Sequence, residues 1–249
     1  MFALIYFCVG ILGFLKCNFH PPNTKGIPEI KKESIVFNSS RDGNIEIFIM
    51  DEDGKQLVQL TNNAAADQMP CLSTTKKEIV FASNRSGDNS SIFRMNIDGS
   101  QITQLTSKGM DFWPKWSPDG KKIAFTSDRD GDWEIYQMNS DGSQLVNLTN
   151  NDRWDNAPSY SPDGTKIVYC SRLEHKWAIF VMNADGRNQI QLTFNNDNNS
   201  APDFNHFNKI VFVSDRAGDR DNEIFIMDIT GANQKQLTQN DADDDNPNW

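Results

Sequence analysis

The chain has 249 residues, of which 34 are Asp or Glu and 24 are Lys or Arg, and its formal net charge is −10. This length allows one large domain with a sizeable core. An acidic surface repels phosphate backbones, which argues against nucleic acid as a partner and favours a basic partner or a cation.

An apolar run, Phe2–Leu15, opens the chain. It is too short for a comfortable transmembrane helix but has the length of a signal-peptide core. We therefore predict that residues 1–19 are a signal peptide or, if uncleaved, an N-terminal anchor, and that residues 20–32 are a linker. The folded domain is predicted at 33–249, in a protein exported to the periplasm or beyond the cell.

A fixed series of landmarks recurs five times along the rest of the chain. The first is an apolar triplet that predicts a buried strand, found at Ile35–Phe37, Ile79–Phe81, Ile123–Phe125, Ile167–Tyr169 and Ile210–Phe212. Each triplet is followed by a Met that precedes a Gly by four residues, at Met50, Met95, Met138, Met182 and Met227. A Leu-Thr pair comes next, at Leu60, Leu105, Leu148, Leu192 and Leu237. A proline with an apolar residue two positions later completes the series, at Pro70, Pro114, Pro158, Pro202 and Pro247.

The copy at Met110–Asn151 displays the unit most clearly. Asp119-Gly120, Asp130-Gly131 and Asp141-Gly142 separate four short runs of alternating apolar and polar residues. Asp-Gly between such runs predicts a tight turn, because Gly readily takes the positive φ that the turn needs. Repeats of this length with four strands each are typical of a β-propeller. We therefore predict an all-β fold, a β-propeller of four-stranded antiparallel blades.

The two ends of the repeat array are incomplete. Residues 67–106, 111–149, 155–193 and 199–238 are predicted to be whole blades, whereas residues 33–61 supply only strands two to four. Asn246–Trp249 has the pattern of a first strand alone. Since an open blade edge would leave backbone groups unpaired, we predict that this C-terminal strand closes the N-terminal blade in a five-bladed ring. The alternative is an incomplete six-bladed propeller.

The segment PKWSPDGKKIAFTSDRDGDWEIY at 114–136, followed by MNSDG at 138–142, resembles the repeat of TolB-like β-propellers. The resemblance covers residues 33–249 and implies a propeller fold. Related repeats occur in the propeller domains of prolyl-oligopeptidase-type peptidases. Because one fold serves many activities, the resemblance does not by itself fix a function.

Two sets of charged or polar residues recur at fixed positions in the repeat. One set is Arg41, Arg85, Arg129 and Arg216, each four residues after a triplet, and the other, three residues before the first-strand prolines, is Asp67, Asp111, Asp155, Asn199 and Asp244. In a propeller the loop after strand two and the loop between blades lie on the same face. We therefore predict that the two sets pair and stitch neighbouring blades together. The alternative is a ring of carboxylates at the channel mouth that binds a cation or a basic peptide.

Aromatic residues depart from the repeat in the third and fourth blades. Phe112 and Trp113 precede Pro114, Trp133 ends the loop after a second strand, and Trp154 lies between blades. All map to that same face, and exposed Trp is typical of protein or sugar binding. Residues 172–176 also replace the usual D-R-x-G loop. The predicted partner-binding set is Asp67, Asp111, Trp113, Trp133, Trp154, Asp155 and Asp244.

Enzyme chemistry has little support in the sequence. There is no G-x-S-x-G motif, and the three histidines lack metal-ligand spacing. Cys71 and Cys170 occupy different places in the repeat, which predicts free thiols. We predict no catalytic residue, no metal site and no cofactor, with calcium at the Asp-rich loops as an alternative.

These observations favour a non-catalytic, monomeric β-propeller that binds a protein or peptide, which its charge predicts to be basic, on the face formed by the inter-blade loops. Membrane contact is expected only through the N-terminal segment, if that segment stays uncleaved. One alternative is a carbohydrate-binding or carbohydrate-processing propeller. Another is the propeller part of a truncated prolyl-oligopeptidase-type peptidase.

Overall fold

The computed structural model describes residues 34–75, 77–217 and 221–247. The predicted signal peptide or anchor at 1–19 and the linker at 20–32 lie outside the described residues. Within the described part of the chain the backbone forms nineteen β-strands. No helix that could cross a membrane occurs among these residues.

The strands form five antiparallel sheets, which we call blades 1 to 5. Blade 1 comprises β1 (Ser34–Ser39), β2 (Glu46–Asp51) and β3 (Val58–Gln59). Blade 2 comprises β4 (Asp67–Leu72), β5 (Glu78–Ser83), β6 (Ser91–Asn96) and β7 (Thr103–Gln104). Blade 3 comprises β8 (Asp111–Trp116), β9 (Lys122–Ser127), β10 (Glu134–Asn139) and β11 (Val146–Asn147). Blade 4 comprises β12 (Asp155–Tyr160), β13 (Lys166–Leu173), β14 (Lys176–Asn183) and β15 (Ile190–Gln191). Blade 5 comprises β16 (Asn199–Phe204), β17 (Lys209–Ser214), β18 (Glu223–Asp228) and β19 (Lys235–Gln236).

The five blades form a ring, so the prediction of an all-β, five-bladed propeller is confirmed. Consecutive strands pair within each blade, and the first strand of each blade from 2 to 5 contacts the inner strand of the blade before it. The last strand of each blade has only two residues. Outer edges this short offer few unpaired backbone groups to another chain.

The first-strand prolines lie at β-bulges. In blade 3 the register shifts between Phe112 and Lys115, and the residue before Pro114, Trp113, has a φ of 49°. The same shift and a positive φ recur around Pro70, Pro158 and Pro202. Proline has no N–H to give to a ladder, and a bulge accommodates it without losing the strand.

Residues 243–247 follow the path of a first strand. The Asp244 N–H donates to the Asn222 carbonyl at 2.7 Å, as the Asp67 N–H donates to the Ile45 carbonyl at 2.8 Å. Asn246 has a φ of 52°, like the residues before the other first-strand prolines. Asn248 and Trp249, which would complete the predicted closing strand, lie outside the described residues.

The core lies between neighbouring blades. In blades 2 to 5 every member of the predicted triplets is at most 2 % exposed. The aromatic residue of each triplet stacks on an aromatic residue of the third strand, as Phe125 does on Tyr136 with ring centroids 6.0 Å apart. One cluster joins Val168 and Ile179 of blade 4 to Phe204 of blade 5. Each sheet thus buries its faces against its neighbours, as layered folds require.

An ion pair spans the central channel. Lys115 on β8 and Asp203 on β16 each follow a first-strand proline, and the Lys115 Nζ lies 3.3 Å from the Asp203 Oδ1. Strand β12 contacts both β8 and β16 and so lies between them in the ring. Because blades 3 and 5 are not neighbours, this contact reaches across the centre of the ring.

A buried carboxylate begins the first strand of blades 2, 3 and 4. Asp67, Asp111 and Asp155 are each 0 % exposed. The Arg85 Nη2 donates to the Asp67 Oδ2 at 2.6 Å, and the Arg129 Nη2 donates to the Asp111 Oδ1 at 2.9 Å. The predicted pairing is therefore confirmed in blades 2 and 3, but the prediction that it stitches neighbouring blades is wrong. Both partners belong to one blade, because the loop after strand two folds back over the start of strand one.

The same guanidinium groups lie over the aromatic pairs of their blades. The Arg129 Cζ is 5.2 Å from the Phe125 ring centroid and 4.7 Å from that of Tyr136. Arg41, Arg85 and Arg216 lie in the same way over two rings of their own blades. In blades 2, 3 and 5 the arginine also bonds to the Asp or Asn that begins the first strand, so there it joins the first three strands of the blade.

A Glu, a Thr and an Asn provide the link between blades. Glu46 of blade 1 accepts hydrogen bonds from the Thr61 hydroxyl at 2.6 Å and from the Asn63 N–H at 2.8 Å. The Asn63 side-chain amide then donates to Asp67 of blade 2 at 2.7 Å. The link recurs from Glu134 through Asn151 to Asp155, and from Glu223 through Asn240 to Asp244. These bonds fix the inter-blade loops to the buried carboxylates.

Replacing Arg129 by Met tests the ion pair. It leaves the 0 % exposed Asp111 carboxylate without its guanidinium, and removing one partner of a buried pair costs about 3–5 kcal/mol of unfolding free energy. Urea unfolding of wild type and variant measures this loss. Arg187→Met is the matched control, because the Arg187–Asp185 pair is exposed and such pairs contribute little. Equal stability of the two variants would contradict the argument.

Replacing Glu134 by Gln tests the link between blades. Burial raises the pKa of Glu134 to about 7, against hydrogen bonds from Thr149 and Asn151 that lower it. The folded state therefore binds a proton that the unfolded state has lost, and stability falls as pH rises from about 4.5 to about 7. The Gln side chain does not titrate, so the variant lacks this pH dependence. The free energy of unfolding of the variant minus that of wild type, measured with urea, should therefore be larger at pH 8 than at pH 5. A difference that does not change with pH would disprove this assignment. Burial also raises the pKa of Asp111 and Asp155. The Asp111 contribution cancels in the comparison with wild type, whereas the charge of Asp155 is part of the effect because it raises the pKa of Glu134.

Candidate functional site

The loops after the second strands and the loops between blades lie together at one end of the ring, which we call the loop face. Backbone hydrogen bonds join the two sets: the Asp155 N–H donates to the Trp133 carbonyl at 2.6 Å, and the Arg172 N–H donates to the Trp154 carbonyl at 2.9 Å. The Asp128 N–H likewise donates to the Met110 carbonyl at 3.3 Å. The expectation that both loop sets share a face is confirmed.

The predicted carboxylates do not share one environment. Asp67, Asp111 and Asp155 have no accessible surface, and one oxygen of each accepts hydrogen bonds from Arg or Asn side chains of the scaffold. Asp244 is only partly buried and accepts a hydrogen bond from the Asn240 amide at 2.8 Å. In this conformation a partner on the loop face can touch Asp244 but none of the other three.

Phe112, Trp113 and Trp133 form one aromatic cluster on blade 3. The Phe112 ring centroid lies 6.0 Å from that of Trp113 and 5.9 Å from that of Trp133. All three side chains are partly exposed. The bulge before Pro114 positions Trp113, since the strand bends there. The cluster therefore presents half-buried ring surface at the start of a first strand.

Trp154 is the most exposed of the predicted tryptophans, at 44 %. It lies in the loop between blades 3 and 4, where the Arg172 Cζ is 4.9 Å from a ring centroid of its indole. A tryptophan fixed against a guanidinium loses little freedom when a partner covers its other surface. The pair is thus a rigid, amphipathic contact surface.

In blade 4 a different arginine lies over the aromatic ring of the third strand. The Arg153 Cζ lies 5.1 Å from the Phe180 ring centroid, where the other blades place the arginine that follows strand two. Residues 172–176, which the sequence singled out, extend the hairpin of β13 and β14 around Glu174, whose φ is 53°. Blade 4 therefore has one guanidinium, that of Arg153, over its aromatic pair and a second, that of Arg172, against Trp154 at the surface.

Acidic residues crowd the loop that follows blade 5. Asp243 and Asp245 both accept hydrogen bonds from Asn222, at 2.8 and 3.1 Å. Burial and the neighbouring Asp243 and Asp244 raise the pKa of Asp245. A cation bound here would relieve the repulsion between these carboxylates.

Sequence reasoning missed two features of this face. The Glu and Asn of the inter-blade link recur in order, as E-I at the start of third strands and as N after Leu-Thr, and this pattern could have revealed them. Phe194 is 78 % exposed directly after Leu192-Thr193. It stands where the other repeats have Asn, Ser or Gln, so the departure from the repeat was its signal.

Among the residues described, no three His, Cys, Asp or Glu side chains come together to hold a metal ion. Cys71 and Cys170 are free thiols, as predicted. Burial raises the pKa of Cys170 to about 12, so that this thiol stays protonated at neutral pH.

A family model described as the TolB beta propeller domain matches residues 27–111 and 88–249. No curated protein matches the chain. Among solved structures, TolB from Acinetobacter baumannii aligns with a TM-score of 0.76 and 22 % identity, over 87 % of this chain and 54 % of its own. A putative TolB from Agrobacterium tumefaciens aligns with a TM-score of 0.69 and 23 % identity, over 82 % of this chain and 80 % of its own. An oligogalacturonate lyase in complex with manganese aligns with a TM-score of 0.62 and 15 % identity, over 83 % of this chain and 62 % of its own.

At these identities the structural matches establish a common fold and nothing finer. The chain spans about half the length of the Acinetobacter TolB chain. The family model, in contrast, extends over all the described residues. Because the family model matches this whole range and the structure contains five blades of the predicted repeat, the chain belongs to the TolB beta propeller domain family.

Proposed function

We propose that this protein is an exported, non-catalytic propeller that binds a protein or peptide on its loop face. The observation that carries the proposal is the exposed Trp154 held against Arg172. Tryptophan and arginine are enriched among the residues that dominate protein interfaces. The aromatic cluster on blade 3 and the exposed Phe194 add apolar side chains to the same face.

The charge of the loop face favours a basic partner. Asp130, Asp152 and Asp241 are exposed on it, and Asp243 to Asp245 lie in one short loop. Complementary charge accelerates association and selects against acidic competitors. Binding should therefore weaken as salt concentration rises. The proposed export rests on Phe2–Leu15, which lies outside the described residues.

Carbohydrate binding is the second candidate. An exposed tryptophan ring suits a sugar face as well as a protein side chain, and an oligogalacturonate lyase shares the fold. The net charge of −10 disfavours acidic sugars, so a neutral glycan is the form to test. A role as the propeller part of a larger peptidase stays a prediction.

Replacing Trp154 by Ala tests the proposal. The immobilised full chain is used to recover partners from an extract of its source, and recovery by wild type and variant is compared by quantitative mass spectrometry. Loss of an anchoring tryptophan costs about 2 kcal/mol or more, roughly 30-fold in affinity, so a specific partner should fall to near background. Val146→Ala is the matched control, because Val146 is 52 % exposed on the outer strand β11.

The same variants are applied to an array of neutral glycans. Glycan binding that depends on Trp154, without recovery of a protein, would replace the proposal by the second candidate. Undiminished protein recovery by a folded Trp154→Ala variant would reject the loop-face assignment.

A further inference from the structure

Aspartate precedes glycine at eight places in the chain, and each of these pairs lies in a turn or loop between strands. The pairs begin at Asp42, Asp53, Asp98, Asp119, Asp130, Asp141, Asp163 and Asp185. In such a pair the peptide nitrogen of the glycine can attack the side-chain carboxyl of the aspartate, because glycine has no side chain to shield that nitrogen and leaves the backbone unusually free. The eight pairs are therefore candidate sites of one modification, and their surroundings decide which of them reacts.

Hydrogen bonds or ion pairs hold seven of the eight carboxylates. Asp130 accepts a hydrogen bond from the Tyr136 hydroxyl and pairs with Lys108. Asp53 lies 3.9 Å from the Lys55 Nζ. The other five accept a hydrogen bond, at 2.9–3.1 Å, from the backbone N–H two residues further on, and they are Asp98, Asp119, Asp141, Asp163 and Asp185. Each of these carboxylates must leave its partner before it can react.

A hydrogen bond from a hydroxyl also lowers the pKa of five of these carboxyls. The donor is Tyr136 for Asp130 and a serine for the others, which are Asp98, Asp119, Asp141 and Asp163. These side chains therefore stay ionised at neutral pH. An ionised carboxylate is a poor target for a nucleophile, because only the protonated carboxyl releases its hydroxyl as water.

Asp42 differs from the other seven aspartates. It lies in the loop between β1 and β2 on the loop face, its side chain is exposed, and its carboxylate makes no hydrogen bond or ion pair with the described part of the chain. The Gly43 N–H donates to the Ser40 carbonyl at 3.2 Å, whereas the same bond measures 2.8–3.0 Å in the other seven turns. A Cβ placed on Gly43 would meet no atom within 4 Å. Both reacting groups are thus less restrained here than at the other Asp-Gly pairs.

We propose that Asp42 is the residue at which this chain forms isoaspartate. The Gly43 nitrogen attacks the Cγ of the protonated Asp42 carboxyl, whose hydroxyl leaves as water with the proton of the nitrogen, and a succinimide ring results. Water then adds to either ring carbonyl and breaks its bond to the nitrogen. Opening at Cγ restores aspartate, whereas opening at the α-carbonyl routes the main chain through the side chain and frees the α-carboxylate. The water released in the first step is consumed in the second, so no further reactant is needed.

Isoaspartate at this position lengthens the main chain of the loop by one methylene and keeps its charge. The preceding residue is fixed to blade 1, since the Arg41 Cζ lies 5.3 Å from the Phe37 ring centroid and 4.6 Å from that of Phe48. The new carboxylate belongs to an exposed loop, where an enzyme that methylates isoaspartyl carboxyls with S-adenosylmethionine can reach it. The modification does not depend on partner binding at Trp154, which lies between blades 3 and 4.

Incorporation of heavy oxygen from labelled water tests the proposal, because each cycle of ring formation and opening introduces one oxygen atom from water. The folded full chain is kept in this water at neutral pH, digested with trypsin in ordinary water and mapped by mass spectrometry. Trypsin leaves Asp42 and Asp53 in one peptide, since it cleaves after Arg41 and after Lys55, so fragmentation of that peptide assigns the label. We expect Asp42 to gain label about tenfold faster than Asp98, where a hydrogen bond to a charged group must first break.

Two variants and the unfolded chain serve as controls. Asp42→Glu would have to close a larger, more slowly formed ring and should lose the label at this position. Ser100→Ala removes a donor to the Asp98 carboxylate and should increase the label at Asp98. In urea, where the turns are absent, all eight pairs should gain label. The proposal is overturned if Asp98 or Asp141 gains label as fast as Asp42 in the folded chain, or if Asp42 gains label only in urea.

Discussion

The fold depends on how buried carboxylates at the starts of first strands are neutralised. A buried charge without a partner is unstable, and Asp111 meets this constraint with the Arg129 guanidinium. That guanidinium lies over two aromatic rings from the second and third strands. An Asn amide joins the corresponding Asp155 to Glu134 of the preceding blade. One set of contacts thus organises a blade and attaches the next, and the regular Asp and Arg residues of the repeat serve mainly as scaffold.

Blade 4 meets this constraint differently, since Asp155 accepts a hydrogen bond from the Asn151 amide. Its arginine comes from the inter-blade loop, as Arg153, and lies over Phe180 all the same. Arg172 is then available to stack on Trp154 at the surface. The proposed binding surface thus lies where the repeat is broken.

The two ends of the ring have different chemistry. The loop face combines exposed aromatic rings with acidic loops, whereas the opposite end of the ring has a cleft between blades 3 and 4 whose lining includes Asp119, Asp163, Asp185 and Lys122. Between the two ends, the Lys115–Asp203 pair joins two blades that are not neighbours in the ring.

The sequence by itself determined the kind of the blades, since a repeated order of apolar triplets, Asp-Gly turns and prolines is typical of a propeller, and it favoured five blades while leaving a six-bladed ring as the alternative. It also located Trp113, Trp133 and Trp154, because each departs from the repeat. Only the tertiary structure decided that Asp67, Asp111 and Asp155 are buried within their own blades. Spacing along the chain places a carboxylate and a guanidinium at one end of a sheet, but it does not say which strands they join or whether water reaches them. Burial depends on how the neighbouring loops fold over the pair, and the loop contacts join residues that are far apart in the chain. The Lys115–Asp203 ion pair is another long-range contact that the sequence did not predict.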